Sequence, residues 1–459
     1  MLKNLILNNP MEDNKYTFLE LENKLTLIKH NPDELKAFYS SFIDRYNELD
    51  KKYGFTESMD IDYIFHQIHQ KQNILNRPLA CMPFGIKDIF NTRVLPTTMG
   101  SELWKGFKAG NNARIVDELE DQGAISFSKT TSAEFAVHFI TPQKTINPWN
   151  PAHITGTSSS GSAVAVASGA LPIALGTQTA GSLIRPASFC GIFGFKPSFG
   201  AIDRTGTLKT NDLFDTIGFL GSDIYGLMKT FSCTMQKTKD YPLSKNYIKN
   251  YELSKLKKKP KIGIVTSVFK GYANYAEYVK QAFNKTIEDL NSIYDIHFIE
   301  DAEFINEVHP LHELAYCKSL SYYFKEEIKV HKKVSEIMTK MIREGDKIST
   351  SDFMAINSRK VELTEKFDKV FEEYDFILTP STASAAPKLD EVELNDTCLI
   401  WTFFGYPTIS LPIYLNKNLN LPFGLQLVGK RYYDFALLDF ANSLSKHFDI
   451  KLGSTAYEV

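Results

Sequence analysis

Cysteine is scarce in this 459-residue chain, and neither sign of charge is in surplus. The five cysteines, Cys81, Cys190, Cys233, Cys317 and Cys398, are odd in number, far apart and without a CxxC. Neither a disulfide framework nor a zinc site is expected; free buried thiols are. With 52 basic and 54 acidic residues the net charge is −2, which gives no field to draw the protein onto nucleic acid or an anionic membrane. No stretch approaches ~18 uninterrupted apolar residues, so no membrane span is proposed. The apolar run Leu5 to Leu7 behind Lys3 is too short for a secretory core, and no small-residue cleavage site follows it. A cytoplasmic protein is the expectation. What the chain has in quantity is aromatic residues, 33 Phe, 22 Tyr and 3 Trp, within 43% hydrophobic and 23% charged. That composition suits a globular core and argues against disorder. The length fits about three domains or one large α/β domain.

Residues 1–75 read as an N-terminal helical layer, with Phe38, Phe42 and Tyr46 at four-residue steps. Residues 79–230 hold most of the glycines and turn signals. The Lys-rich stretch 240–261 reads as a solvated connector, followed by a strand start at Ile262 to Val265. Val279, Ala282, Phe283, Ile287 and Leu290 fall on one helical face, and 296–300 alternates like a strand, which is an α/β pattern. A helical layer over 304–374 leads to the apolar run 376–378. Two strand-like runs, TISLPIYL and PFGLQLVG, then precede a helix over about 435–446. No internal repeat or low-complexity tract is present.

The densest signal is Thr155 to Gly200, rich in Ser and Gly. A phosphate-cradling loop would need GxxxxGK[ST] or GxGxxG, and neither occurs; a nucleotide-binding module is the weakest of the readings considered. A nucleophile elbow would read GxSxG, also absent. GSAVAVASGA after Ser160 suits a close-packed helix, and LPIALG at 171–176 a strand. The following TQTAGS is a turn that can aim the amides of Thr179, Ala180, Gly181 and Ser182 at one point, as an oxyanion hole does. Ordinary turn and capping bonds are the plain alternative.

FGIKD with Lys87, TGTSSSGS with Ser158, GTQTAGSLIRPASFCG with Ser182, GFKPSFG and FDTIGFLG with Asp215 together resemble the amidase signature family. KTTSAEFA, NPWNP, ILTPSTASAAP, GYPTISLP and LPFGLQLVG extend the likeness. It is close over 79–225 and looser over 375–445. The resemblance implies a single large α/β domain, 76–459, with a central mixed sheet covered by helices on both faces and 240–370 as its less motif-rich part. It also implies a Ser-cisSer-Lys triad of Ser182 as nucleophile, Ser158 as bridge and Lys87 as base. The serines lie 24 positions apart, as the family pattern has them. Thr157 stands where the family usually has Gly before the bridging serine. The implied oxyanion hole is the backbone of Thr179, Ala180, Gly181 and Ser182.

The chemistry asks much of Lys87. An unperturbed lysine, with pKa about 10.4, is neutral only about 0.04% of the time at pH 7, and neutralising it costs about 4.6 kcal/mol. Burial must lower that pKa for the amine to act as a base. A salt bridge to Asp88 or another acid is the competing structural role. Arg185, three residues after Ser182, is a candidate to bind a substrate carboxylate, with an internal ion pair as the alternative. Glutamyl-tRNA amidotransferase A subunits carry Asp and Arg where this chain has Gln178 and Ile184, so the sequence resembles more the small amidase and malonamidase-like branch. Positions near 82, 138–141 and 401–406 could shape an acyl pocket, although Trp401, Phe403 and Phe404 suit a core better.

The expected activity is hydrolysis of a small carboxylic amide through an acyl-serine. The alternatives are a non-catalytic scaffold and an amidotransferase A subunit. No metal or cofactor fingerprint appears. The expected partner is a small amide, with no nucleic acid and no membrane; a homodimer is one assembly considered, and the amidotransferase alternative would add a partner subunit.

Overall fold

The structure is a computed structural model describing residues 16–70, 75–137, 144–235, 259–268, 274–329, 333–391, 393–453 and 455–459. Positions 138–141, the leading run at 5–7 and nearly all of the Lys-rich connector lie outside the described residues.

Local chemistry sets the first helices. Thr17 and Glu20 form a reciprocal capping box on α1 (Phe18–Ile28). Asn31 caps α2 (Pro32–Tyr53), Pro32 occupies its first turn, and Gly54 ends it in the left-handed conformation. Phe42 and Tyr46 lie on the buried face of α2 and pack on Phe127. Between α2 and α3 (Ile61–Gln70) runs β1 (Thr56–Ser58), which pairs antiparallel with β3 (Ile125–Thr130). The first segment therefore adds an edge strand as well as helices.

The remaining strands are β2 (Pro83–Lys87), β4 (Ile173–Gln178), β5 (Phe193–Lys196), β6 (Thr216–Gly221), β7 (Lys261–Val265), β8 (Asp295–Ile299), β9 (Phe376–Pro380), β10 (Thr408–Asn416), β11 (Leu421–Gly429) and β12 (Tyr457–Glu458). They form one twelve-stranded sheet in the order β1-β3-β2-β4-β6-β5-β10-β11-β9-β7-β8, with β12 beside β10. The sheet is mixed in a regular way. β3, β2 and β4 are parallel at one end, β9, β7 and β8 at the other, and the strands between pair antiparallel.

The other helices are α4 (Arg114–Asp121), α5 (Ser160–Ala167), α6 (Ile184–Cys190), α7 (Ile224–Thr234), α8 (Glu277–Asn291), α9 (Val308–Phe324), α10 (Glu336–Asp346), α11 (Thr350–Glu373), α12 (Cys398–Phe404) and α13 (Asp434–His447). β4, β5, β6, β10 and β11 are buried at every residue, which requires cover on both faces. β11 shows how. Pro422 meets Gly191 at the end of α6, whereas Gly429, of opposite parity, meets Leu437 of α13. Alternate strand residues face opposite sides, so α6 and α13 sandwich this strand. α5 is buried throughout, and its Gly161 leaves no room for a Cβ, which would lie 2.4 Å from the Thr131 nitrogen and 2.6 Å from the Phe55 oxygen.

Trp401, Phe403 and Phe404 are core, packed with Phe367 of α11 or with one another. A second, smaller cluster of Phe135, Tyr316, Leu320, Phe324, Met338 and Ile342 fastens α9 and α10 to the segment after β3. Among the described residues no helix is long and apolar enough to cross a membrane.

Candidate active site

β2 and β4 run parallel with Gly85 beside Ala174 and Ile86 beside Leu175, so their C-terminal ends lie together. In open α/β sheets that edge is where ligands are bound. Lys87, the last residue of β2, donates from Nζ to Thr177 Oγ1 at 2.9 Å and to Ser158 Oγ at 2.7 Å. Ser158 comes from the turn before α5, and the Thr157–Ser158 peptide is cis. Lys87 is fully buried, and burial pulls its pKa well below the ordinary lysine range, with the charge of Asp215 acting in the opposite sense. Asp88 is otherwise engaged. It pairs with Lys129 at 2.8 Å and accepts the Thr98 N–H at 2.9 Å. The salt bridge that competes in sequence for Lys87 does not form.

Ser182 lies in the turn between β4 and α6, 4% exposed. Side chains from several elements hold this turn. Gln178 Oε1 accepts the N–H groups of Leu183 and Ile184 at 2.8 and 2.9 Å, while its Nε2 donates to Thr402 Oγ1 at 2.9 Å. Thr402 Oγ1 in turn donates to Ala180 O at 2.7 Å. Thr179 Oγ1 donates to Asp215 Oδ1 at 2.6 Å, and Asp215 also accepts the N–H groups of Thr210 and Asn211. His312 of α9 meets Thr179 O at 2.8 Å through Nε2. A carbonyl only accepts, so Nε2 carries the proton. Burial lowers the His312 pKa to about 4, so the ring is neutral at pH 7. A Cβ at position 181 would stand 2.7 Å from Arg185 Nη2, so any larger residue there must displace the guanidinium.

Arg185, on α6, is buried, and its Nε reaches Asp396 Oδ2 at 2.7 Å and Glu393 Oε2 at 3.1 Å. The two carboxylates hold its pKa above the usual value against desolvation. Nη1 is buried without a hydrogen-bond partner among the described residues. Of the positions flagged for an acyl pocket, Met82 lines a small apolar void with Phe18 and Leu119.

The structure thus brings Lys87 and Ser158 into contact and sets Ser182 and the amides of 179 to 182 on the turn that ends β4. Thr177, Asp396, His312 and Thr402 were not singled out in the sequence. Thr177 sits in the motif itself, directly after Gly176. His312 and Thr402 reach the turn from 133 and 222 residues away, and no local pattern marks them. Among the described residues no group of three His, Cys, Asp or Glu side chains is placed to hold a metal.

A family model described as Amidase matches residues 37–438. The glutamyl-tRNA(Gln) amidotransferase A subunit of Halothermothrix orenii is 28% identical over 493 aligned positions, covering 96% of this chain and 99% of that protein. Among solved structures, one described as an amidase superposes with a TM-score of 0.81 at 23% identity, covering 94% of this chain and 100% of the other. A chain from a vestigial protein complex, described as revealing the origins of an s-triazine catabolic enzyme, gives 0.82 at 20% identity, covering 95% and 99%.

Proposed function

The chain belongs to the amidase family, and from that premise we propose that it hydrolyses a small carboxylic amide to the acid and ammonia or an amine through an acyl-Ser182 intermediate. The observation that carries this reading is the buried Lys87 amine, 2.7 Å from Ser158 Oγ, with its pKa lowered by burial and its neighbouring acid Asp88 held by Lys129. A neutral amine in that position accepts the Ser158 proton as Ser158 takes that of Ser182. Ser182 Oγ then attacks the amide carbon. Negative charge gathers on the former carbonyl oxygen, where the amides of Thr179, Ala180, Gly181 and Ser182 would stabilise it; loss of one such donor costs of order 3 kcal/mol. The relay returns the proton to the leaving nitrogen, and water releases the acid from the ester by the same path.

Arg185 enters as a substrate-binding candidate through the far end of its guanidinium, where Nη1 has no hydrogen-bond partner among the described residues, since Nε already serves two carboxylates. With two acids beside one guanidinium, the cluster gives less support to an anionic substrate than an unpaired arginine would. The proposed setting is cytoplasmic, without a cofactor.

A second reading, an amidotransferase A subunit that passes its ammonia to a partner, is favoured by the names of the curated relatives and opposed by Gln178 and Ile184. The test is ammonia release from a panel of small primary amides by the purified chain and by Ser182→Ala. Release by the parent alone supports the amidase. Release that requires a co-purifying protein supports the second reading, and none with either refutes both.

A further inference from the structure

Two consecutive carbonyls of the turn before Ser182 are gripped by side chains from helices remote in sequence. His312 Nε2–H holds Thr179 O at 2.8 Å, and Thr402 Oγ1–H holds Ala180 O at 2.7 Å. The direction of the second bond follows from Gln178. Its Oε1 takes two backbone N–H groups, so Nε2 must be what meets Thr402, and the hydroxyl proton is left for a carbonyl. Cys398 O, at 3.0 Å, is the weaker claimant on that proton. The His312 ring is itself fixed, stacked on Phe214 at 4.5 Å and 20°.

A trans peptide points its C=O and the following N–H in opposite directions. A donor on Thr179 O therefore turns the Ala180 N–H the other way, and a donor on Ala180 O does the same for the Gly181 N–H. Neither amide donates to another described residue. The inference rests on reading this turn as the oxyanion site. We propose that His312 and Thr402 are positioning residues that aim the Ala180 and Gly181 amides at the oxygen on which charge develops. Each touches a carbonyl on the back of the turn and acts through the amide that follows it. The remaining contacts prepare this arrangement: Asp215 holds the side chain of Thr179, and Gln178 ties the turn to the start of α6.

The test is the rate at which a fluorophosphonate modifies Ser182, followed by intact mass over a range of probe concentrations. The variants are His312→Leu, which deletes the donor, His312→Gln, which keeps an N–H near the same place, and Thr402→Val, which keeps the shape without the hydroxyl. The limiting rate should fall at least about 10-fold in His312→Leu and Thr402→Val, with the half-saturating probe concentration unchanged. His312→Gln should recover to within about threefold of the parent. A merely structural role would lower the urea midpoint without this split. Parent-like rates in both deletion variants, or a His312→Gln as slow as His312→Leu, overturn the proposal; Thr402→Val decides alone if the histidine variants do not fold. A parent that takes no adduct at Ser182 overturns the reading of the site itself, and this inference with it.

Discussion

Replacing Lys87 with methionine tests whether the amine is neutral in the folded protein. The unfolded chain binds that proton with a pKa near 10.4, whereas burial draws the folded pKa well below it. Between the two values the unfolded state carries a proton that the folded state lacks, so stability rises with pH by about 1.4 kcal/mol per unit and is lost as pH falls. Methionine keeps the unbranched apolar stem and has no proton to bind. Lys196 and Lys360, lowered by burial to about 7 and about 8, titrate in parent and variant alike and cancel in the difference. From pH 8 to pH 10 the parent should therefore gain stability on Lys87→Met, the slope flattening as about 10.4 is neared. Urea unfolding by circular dichroism across that range measures it. Parallel stability curves would mean that Lys87 keeps its proton on folding, and a protonated lysine cannot begin the proposed relay.

His312, neutral when folded with a pKa of about 4, leaves a deficit of one proton relative to an unfolded histidine near 6.5. Stability should fall as pH drops from about 6.5 toward 4, by up to about 3 kcal/mol, and His312→Gln should lose that slope in urea titrations. Gly161→Ala should destabilise by at least about 2 kcal/mol in thermal unfolding, because its Cβ meets the Thr131 and Phe55 backbone. Asp396→Asn should cost about 3 kcal/mol by removing the nearer carboxylate from buried Arg185; an unchanged melting temperature would argue that Glu393 suffices alone.

The candidate site was readable where chemistry and local pattern coincide. Lys87, Ser158 and Ser182 stand in short motifs, and the turn at 179 to 182 announces itself through Gly and Ser. The helix at 277–291 follows from periodicity, and the paired strands β10 and β11 from two apolar runs joined by a turn-prone stretch. The central strands are a different case, since burial on both faces erases alternation, and order within the sheet depends on pairings such as β5 with β10 across more than two hundred residues. The same distance hides His312 and Thr402, whose partners are backbone carbonyls with no sequence of their own to match. Asp396 was equally silent, and only the fold revealed that Arg185 already has acidic company.

The most direct test of the account is the intact mass of the purified protein after exposure to a fluorophosphonate, beside Ser182→Ala, with the modified peptide mapped. The account predicts one adduct on the parent, located at Ser182, and none on the folded variant. An unmodified parent, or an adduct that persists in Ser182→Ala, would contradict it.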